Sequence, residues 1–461
     1  MSRLQRLIAL SLAGLSLLVV NACGSSSSGA TTLAPTSSAT STAASTTSAA
    51  ASTSTAAAVA PQLGTPSGAP TTAKAPDFVA LSGAKALFGK LGNAVYQIEV
   101  PDKWNGDLVM YAHGFAGFGA QVAVEPPPAA LRKQLIAEGY AWAASSYSEN
   151  GYAPGIGADD TLALKKQFEQ TIGKPKRTYL AGASMGGNVV TLSLEHFPGE
   201  YDGALAVCGA LGGEEEIDYL MSWAAVAEFT SGVPLPIGQG ATKMTSVLLQ
   251  QMSPALGSAD NPTAKGKQFI DIIRNLTGGP RPFFLEGFKD QAMANFGLLL
   301  LDPDRQSLSG RAATNEGVRY HISDGLGLTD AAINAGIQRF IADPAARNAA
   351  KHPDAVPTTG KLSAPLLTLH GTGDLFVPVT QEVSYRQKAD AAGKGDLLVQ
   401  RLIRSAGHCK FSDQELTTAF HDLVSWVRDG TKPKGDDVTA SLNDAGKQFT
   451  NPLRPGDPGT K

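Results

Sequence analysis

A serine lies between glycines in the stretch "GASMGG", in which Ser184 follows Ala183 and precedes Met185. Serine becomes a nucleophile when a sharp strand-to-helix turn exposes its hydroxyl, and Gly182 and Gly186 are the small residues that such a turn requires. The pattern alone is weak, because the chain has 50 glycines and a plain glycine-rich turn would look the same. However, the apolar run "RTYLAGA" ends just before the serine and the helical pattern "MGGNVVTLSLEH" begins just after it. We therefore predict that Ser184 is a nucleophile.

A nucleophilic serine needs a general base, and His408 in "RSAGHCKF" is the best placed histidine. It follows the last predicted strand, so its loop is expected to reach the serine turn at the same edge of the sheet. Five other histidines have structural settings: His196 and His421 lie on predicted helices, His321 and His352 lie in or near a helical insertion, and His370 ends a strand. We predict that His408 is the base.

The base in turn needs a carboxylate on its other ring nitrogen, and Asp374 in "LLTLHGTGDLFVP" lies just beyond an apolar strand. There it would hold the correct imidazole tautomer and stabilise the imidazolium that forms when the serine is deprotonated. Three alternatives remain open. "GTGD" is itself a turn sequence, in which the aspartate would only stabilise the turn. The acidic run Glu214, Glu215 and Glu216 follows another strand and is a rival source of the third member, and a Ser-His dyad would need neither.

An oxyanion hole needs backbone N–H groups that point to the developing negative charge. Met185, directly after the serine, is expected to supply one of them. The stretch "LVMYAHGFAGFG" has a strand followed by His113, Gly114 and Phe115, where the glycine lets the backbone turn inward. We predict that Phe115 supplies the second N–H, with Ala116 as the alternative. Otherwise this loop only packs against the sheet.

The elements around these residues alternate between short apolar strands and longer amphipathic helices. This pattern predicts a doubly wound, mostly parallel α/β sheet that is covered on both faces. Ligands bind at the carboxyl ends of the strands in such sheets, where the loops of Ser184, Asp374 and His408 all lie. Strands are predicted at 94–100, 107–111, 140–145, 177–181, 204–208, 365–370 and 397–403, and helices at 131–138, 159–171, 185–196 and 411–427.

A helical insertion interrupts this alternation. Residues 211–361 contain apolar helical segments such as "IDYLMSWAAVAEF" and "FIDIIRNL" but no convincing parallel strand. We therefore expect a cap between two parts of the α/β core, at 77–210 and 362–430. The polar tail at 431–461 is expected to wrap the surface or fray.

Substrate contacts are harder to predict. Tyr147 and Glu149 follow a strand whose end faces the cleft, and they are either substrate contacts or surface-loop residues. Five apolar cap residues either line a substrate pocket or, more simply, form the cap's own core. They are Trp223, Phe229, Met244, Met252 and Phe296.

The order Ser184, Asp374, His408, with a His-Gly loop upstream, resembles the α/β-hydrolase superfamily over residues 85 to 430. The resemblance implies the α/β-hydrolase fold with a helical cap. It also implies acyl transfer to the serine, followed by hydrolysis of the acyl-enzyme by a water that the same histidine activates.

The "GHC" at His408 and Cys409 is also similar to the tannase and feruloyl esterase branch, in which a disulfide joins the residue before the serine to the residue after the histidine. This chain departs from that pattern, because Ala183 stands before the serine. The resemblance then implies a disulfide between Cys409 and Cys208, which would clamp the histidine loop. Two cysteines in an exported domain are consistent with such a bond, since disulfides persist in oxidising compartments.

The first 22 residues have the pattern of an export signal: Arg3 and Arg6 precede an apolar run at 7–20 that is too short for a comfortable membrane span. The following "VNAC" resembles a bacterial lipoprotein signal, in which Cys23 would become the lipid-modified first residue. The alternative is simple secretion, with Cys23 incidental. Residues 23–76 are almost entirely Ser, Thr, Ala, Pro and Gly, a composition that predicts a disordered tether.

A net charge of −3 argues against nucleic-acid binding, and the predicted chemistry needs no cofactor or metal. We expect an exported serine esterase that hydrolyses small or polymeric carboxylic esters and meets the membrane only through a lipid anchor. One alternative is an exported serine peptidase or aminopeptidase, in which a carboxylate of the run 214–216 would pair with the substrate's amine. Another is a non-catalytic surface-binding lipoprotein. The sequence leaves the ester and the oligomeric state open.

Overall fold

The computed structural model describes residues 62–64, 71–74, 79–237, 239–298, 312–347 and 356–452. The predicted signal, Cys23, nearly all of the predicted tether and His352 lie outside these residues. At the centre is an eight-stranded sheet, whose strands are β1 (Ala84–Leu91), β2 (Ala94–Pro101), β3 (Asp107–Ala112), β4 (Ala141–Ser145), β5 (Arg177–Ala183), β6 (Gly203–Val207), β7 (Leu366–Gly371) and β8 (Leu398–Ile403). A separate short parallel pair joins Thr72–Ala73 to Gln121–Val122.

The strands lie in the order β1-β2-β4-β3-β5-β6-β7-β8 across the sheet. The first two pairings, β1 with β2 and β2 with β4, are antiparallel. All pairings from β4 to β8 are parallel. The carboxyl ends of these strands therefore meet at one edge, where the candidate residues follow β5, β7 and β8.

The helices among the described residues are α1 (Ala129–Ala137), α2 (Pro154–Thr171), α3 (Met185–His196), α4 (Glu215–Ser231), α5 (Ala241–Val247), α6 (Ser253–Leu256), α7 (Ala264–Leu276), α8 (Phe284–Leu298), α9 (Asp330–Gly336), α10 (Thr380–Ala391) and α11 (Asp413–Asp429). A π-helical turn, Leu248–Met252, joins α5 to α6, and a 3₁₀ turn, Gly395–Leu397, precedes β8. Within the part of the chain that the structure describes, no helix has both the length and the apolarity needed to cross a membrane.

Strand β3 shows how the sheet is covered on both faces. Leu108 and Met110 point into one apolar layer, which α2, α3 and α10 complete. Val109 and Tyr111 alternate with them and point into the opposite layer, under α1 and α11. The doubly wound, mostly parallel sheet that the sequence predicts is thereby confirmed.

Strand β1 and helix α10 were not among the predicted elements. β1 is a half-exposed edge strand with the sequence "AKALFGKL", so it lacks a continuous apolar run. Helix α10 buries polar side chains: Glu382 accepts hydrogen bonds from the Thr368 hydroxyl at 2.8 Å and from the Gln400 amide at 2.6 Å. Hydrophobic periodicity is therefore missing from both elements.

Helices α4 to α9 lie between β6 and β7 and form the cap. Its core surrounds Trp223, which is fully buried, stacks on Phe288 at 5.7 Å and meets Phe269 edge to face at 5.4 Å. The five apolar cap residues singled out in the sequence all belong to this cluster or pack against it: Trp223, Phe229, Met244, Met252 and Phe296. They form the cap's own core, the simpler of the two predicted roles.

The polar segment 431–452 runs along the edge strand β8. The Asp436 N–H donates to Gln400 O at 2.7 Å, and the Asp436 carboxylate accepts from the Leu402 N–H at 2.7 Å. Val438 and Leu442 of this segment are buried, in a cluster with Val379 and Leu402. An edge strand exposes unpaired backbone groups, and this segment covers those of β8.

Candidate active site

Ser184 lies at the junction of β5 and α3, with φ 58° and ψ −124°. Its N–H donates to Val207 O on the neighbouring strand at 3.0 Å, which fixes the turn against the sheet. A Cβ atom at Gly182 would lie 2.2 Å from Gly186 O, and one at Gly186 would lie 2.1 Å from Ala112 O. Backbone therefore packs against backbone on both sides of the serine, and only glycine fits these two positions.

Three residues from distant parts of the chain meet at this turn. The Nε2 atom of His408 lies 2.8 Å from the Ser184 hydroxyl oxygen, and its Nδ1 atom lies 2.7 Å from the Asp374 carboxylate. Asp374 is fully buried, whereas the side chain of His408 is 10% exposed. With its proton on Nδ1, the imidazole donates to the carboxylate and accepts from the serine hydroxyl, which is the geometry for general-base activation.

The carboxylate of Asp374 is held by its own loop. Its Oδ1 atom accepts the N–H groups of Phe376 at 3.0 Å and Val377 at 3.2 Å, which leaves Oδ2 for the histidine. The ring of Phe376 also meets the His408 ring edge to face, with centroids 5.4 Å apart. These contacts orient both partners of the Asp-His pair.

Arg281, before helix α8, brings a buried positive charge to the same loop. Its Nε donates to Thr372 O at 2.6 Å, and its guanidinium lies over the Phe284 ring. Burial lowers the pKa of Arg281 to about 10, an effect that the nearby Tyr219 and Asp374 oppose. The group thus remains cationic at neutral pH beside the loop that carries Asp374.

The His-Gly loop lies directly against Ser184, since a Cβ at Gly114 would be 3.1 Å from Ser184 Cβ. The His113 Nδ1 donates to Gly114 O at 2.7 Å, and the ring stacks on Tyr147 at 3.9 Å. The Tyr147 hydroxyl donates to His113 O at 3.1 Å. Tyr147 is 1% exposed and Glu149 6%. The surface-loop role is therefore wrong for both residues, and the buried Tyr147 side chain instead supports the His-Gly loop. Substrate contact by Glu149 stays a prediction.

Met185 and Phe115, the two residues predicted as oxyanion donors, directly follow Ser184 and Gly114 in the chain. Met185 is the first residue of α3, and the first N–H groups of a helix have no partner within it. Phe115 follows Gly114 and packs edge to face on Phe118, with centroids 4.9 Å apart. The N-terminal end of α3 favours negative charge beside Ser184.

A disulfide joins Cys208 to Cys409, as the "GHC" resemblance implied. Cys208 directly follows β6, and Cys409 follows His408, so the bond ties the histidine loop to the central sheet. The Cys409 sulfur lies 3.4 Å from His408 Nε2. Cys208, Cys409 and His408 also form the one trio of possible metal ligands found among the described residues. Their sulfur atoms are bonded to each other and the imidazole is engaged by Ser184 and Asp374, so these atoms are not available to a metal in this state.

The acidic run 214–216 divides into two kinds of carboxylate. The first two are paired with basic residues: Glu214 with Arg347 at 2.7 Å, and Glu215 with Lys388 at 2.8 Å. Glu216 is buried, and no described residue hydrogen-bonds its Oε2 atom. Burial and the nearby charge of Asp374 raise the pKa of Glu216 well above its usual range. The rival prediction for the third member is wrong, since His408 bonds to Asp374.

Sequence reasoning missed Arg281, the supporting role of Tyr147 and a cap glutamine, Gln291, which contacts the loops of both Asp374 and His408. Gln291 on α8 hydrogen-bonds to backbone atoms on either side of Asp374 and before His408. Contacts to backbone leave no pattern of paired residue types in a sequence. The one available signal was a glutamine within a cap segment with an apolar helical pattern.

No protein-family model matches the chain, and no curated protein matches its sequence. Similar solved structures include an esterase from Aspergillus oryzae, with 15% identity and a TM-score of 0.45 over 76% of this chain and 80% of that one. Feruloyl esterase B from the same species has 15% identity and a TM-score of 0.39, over 76% and 80%. An acylaminoacyl peptidase from Pyrococcus horikoshii has 9% identity and a TM-score of 0.37, over 78% and 44%. These low values identify no substrate.

Sheet topology alone identifies the fold. The order β1-β2-β4-β3-β5-β6-β7-β8 places one antiparallel hairpin beside six parallel strands. The serine stands on the strained turn after β5, with the cap inserted after β6. The chain therefore has the α/β-hydrolase fold.

Proposed function

We propose that this protein is a serine hydrolase that cleaves carboxylic esters through an acyl-enzyme intermediate. The observation that carries the proposal is the hydrogen-bonded series Ser184–His408–Asp374, at 2.8 and 2.7 Å, on a strained turn at the carboxyl edge of the sheet. A serine that served only as a turn residue would not need an imidazole that a buried carboxylate orients.

The reaction follows from the positions of these atoms. His408 Nε2 accepts the hydroxyl proton as Ser184 Oγ attacks the ester carbonyl, and Asp374 stabilises the resulting imidazolium. We propose that the N–H groups of Met185 and Phe115 bind the oxyanion of the tetrahedral intermediate. The intermediate collapses, the alkoxide leaves with the proton from His408, and the acyl group stays on the serine. Water, deprotonated by the same nitrogen, then attacks the acyl-enzyme and releases the carboxylic acid.

The acidic run supports an ester over a peptide with a free amino terminus. An aminopeptidase needs an available carboxylate near the nucleophile for the substrate's ammonium group. Glu214 and Glu215 are already paired with basic side chains, and the burial of Glu216 raises the pKa of its carboxyl group and disfavours the charged form. A neutral acid forms no ion pair, so this run does not recognise an amine. Exported serine peptidases remain the second candidate.

We further propose that the chain is exported and held at the outer face of the cell membrane by a lipid on Cys23, with residues 24–76 as the tether. The support is the signal-like pattern of residues 1–22 and the composition of the segment that follows. The disulfide between Cys208 and Cys409 is consistent with an oxidising compartment.

The test is a screen of purified protein on chromogenic esters of graded acyl length beside aminoacyl anilides. We expect ester turnover that falls roughly a million-fold in Ser184→Ala and comparably in His408→Asn. His421→Asn is the matched control, because His421 also bonds to a carboxylate, that of Glu138 at 2.7 Å, but on the surface. Anilide turnover alone would favour the peptidase. No turnover of either class would favour a non-catalytic binding protein.

A further inference from the structure

Helix α8 of the cap packs directly on the loops that carry Asp374 and His408. A Cβ atom at Gly287 would lie 1.8 Å from Gly373 O and 3.0 Å from Ala406 O. The helix backbone therefore touches both loops at once, without a side chain between them. A lid that swings freely over an active site would not pack backbone against backbone on its catalytic loops.

One side chain of this helix bridges the two loops. Gln291 is 1% exposed, and its Nε2 donates to Gly373 O at 3.0 Å and to Ala406 O at 2.9 Å. Its Oε1 accepts the N–H groups of Leu375 at 2.9 Å and Phe376 at 3.0 Å. The amide thus holds the backbone before and after Asp374, together with the backbone two residues before His408.

A second contact lies one turn further along the helix. Asn295 Nδ2 donates to Leu375 O at 2.7 Å, and so does the hydroxyl of Tyr219, also at 2.7 Å. All three side chains are buried. Both backbone polar groups of Leu375 are therefore satisfied by the cap rather than by the sheet.

We propose that Gln291 is a positioning residue, through which the cap sets the distance between Asp374 and His408. The inference rests on the proposed serine-hydrolase function. The Nε2 of Gln291 donates to a carbonyl of each loop, and its Oε1 accepts only from the Asp374 loop. Its loss therefore removes a link between the loops and leaves the direct bond from the Gly373 N–H to Ser405 O, at 2.8 Å, to hold their spacing against movement. The 2.7 Å Asp374–His408 bond then lengthens, and the histidine becomes a weaker base.

The test compares two substitutions of Gln291 with a matched glutamine of the same cap. Gln291→Met keeps the length of the side chain and removes every bridging hydrogen bond. Gln291→Glu keeps the acceptor for Leu375 and Phe376 but sets a carboxylate against two carbonyl oxygens. The control is Gln268→Met on α7, since Gln268 donates to Leu326 O at 2.8 Å within the cap and touches neither catalytic loop.

We expect kcat for a chromogenic ester to fall about tenfold to a hundredfold in Gln291→Met with KM little changed, because misplaced catalytic groups slow the chemical step. Gln268→Met should keep the wild-type kcat. The kcat of Gln291→Glu relative to wild type should rise as the pH is lowered from 8 to 6, because the protonated acid can again donate to a loop carbonyl. Thermal unfolding of all three variants separates loss of fold from loss of positioning.

A readout independent of substrate is the low-field proton NMR resonance of the His408 Nδ1–H, assigned by its absence in His408→Asn. We expect it to shift or broaden in Gln291→Met and to stay unchanged in Gln268→Met. If wild type turns over no ester, the proposed function fails while this resonance still decides the positioning role. The proposal is overturned if both Gln291 variants fold with a wild-type resonance or, where wild type is active, with wild-type kcat.

Discussion

The hydroxyl of Ser184 is presented by a strained backbone. Its φ of 58° lies in the left-handed region, which costs a side-chain-bearing residue roughly 1–3 kcal/mol and persists only where the surroundings enforce it. Here the enforcement is the packing of Gly182 and Gly186 against carbonyl oxygens at distances that no Cβ would tolerate. The position of the Ser184 hydroxyl is therefore determined by the packing of the glycine backbone, and not by contacts of the serine side chain.

Glu216 provides a residue-scale prediction about pH. Burial, and then the negative charge of Asp374, raise its pKa well above the ordinary value of 4.5. The unfolded chain loses this proton above about pH 4.5 while the folded chain keeps it, so rising pH favours unfolding by about 1.4 kcal/mol for each unit by which the pKa is raised. Glu216→Gln removes this cost. We expect urea unfolding at pH 7.5 to show a more stable variant, and the gain to shrink at pH 4.

The same substitution also tests whether Glu216 takes part in the chemistry or affects only the stability of the fold. A neutral amide replaces a neutral acid, so ester turnover at pH 7.5 should stay within about twofold of wild type. Asp374→Asn, by contrast, should lose activity by roughly four orders of magnitude, because the histidine then takes the wrong tautomer. A stability difference that is equal at both pH values would contradict the buried-acid argument, and a large loss of turnover in Glu216→Gln would implicate Glu216 in the chemistry.

At the scale of elements, the fold was predictable wherever apolar periodicity was strong. The segment "RTYLAGA" followed by "MGGNVVTLSLEH" predicted β5 and α3 with the serine between them, and helix α3 has the predicted bounds. Loops at the ends of parallel strands meet at one edge of the sheet, which explains why Asp374 and His408 could be chosen from their places after apolar strands. In the structure His408 hydrogen-bonds to Ser184, and Asp374 hydrogen-bonds to His408.

Elements stabilised by polar contacts were not predictable. Helix α10 buries Glu382 against Thr368 and Gln400, so it carries no apolar stripe. Gln291 acts on backbone atoms up to 115 residues away, and no residue type identifies such partners in advance. The role of Tyr147 was not predicted for a related reason, since the stacking of its ring on His113 depends on how two loops meet. Tertiary hydrogen bonds, rather than local propensity, decided each of these cases.

The disulfide is an element-scale device, because it connects the end of β6 to the histidine loop across 201 residues. Its removal should cost roughly 2–5 kcal/mol of stability. We also expect kcat to fall about tenfold to a hundredfold in Cys208→Ser/Cys409→Ser, since the His408 loop loses its covalent link to the end of β6. Urea unfolding and steady-state ester kinetics measure the two effects separately.

A thiol count checks the bond itself. In a Cys23→Ser background, the exported and denatured protein should show no reactive thiol before reduction and two afterwards, because only Cys208 and Cys409 remain. Two reactive thiols before reduction would show that the bond does not form in the cell. An unchanged kcat in the double variant would show that the bond stabilises the fold without positioning His408.

At the scale of the whole molecule, the described residues ahead of the sheet are joined to the core at several points, which include the short pairing of Thr72–Ala73 with Gln121–Val122 and a contact to helix α2. The N–H groups of Leu63 and Gly64 donate to the carboxylate of Asp159 on α2, at 2.8 and 3.0 Å. Burial raises the pKa of Asp159 to about 6, although these two hydrogen bonds oppose the rise. The attachment is on helix α2, and its described contacts involve neither Ser184 nor His408. We therefore expect the proposed lipid anchoring and the proposed chemistry to be separable.

This separation gives the last prediction, which concerns Cys23. If a lipid on Cys23 anchors the protein, the full chain expressed in an exporting bacterium should enter the detergent phase on phase separation, since each buried methylene contributes about 0.8 kcal/mol to membrane binding. Cys23→Ser should move to the aqueous phase, while its kcat and KM for the ester stay at wild-type values. Ser26→Ala in the same segment is the matched control and should stay in the detergent phase. A Cys23→Ser protein that remains in the detergent phase would place the attachment elsewhere, and a wild-type protein in the aqueous phase would indicate simple secretion.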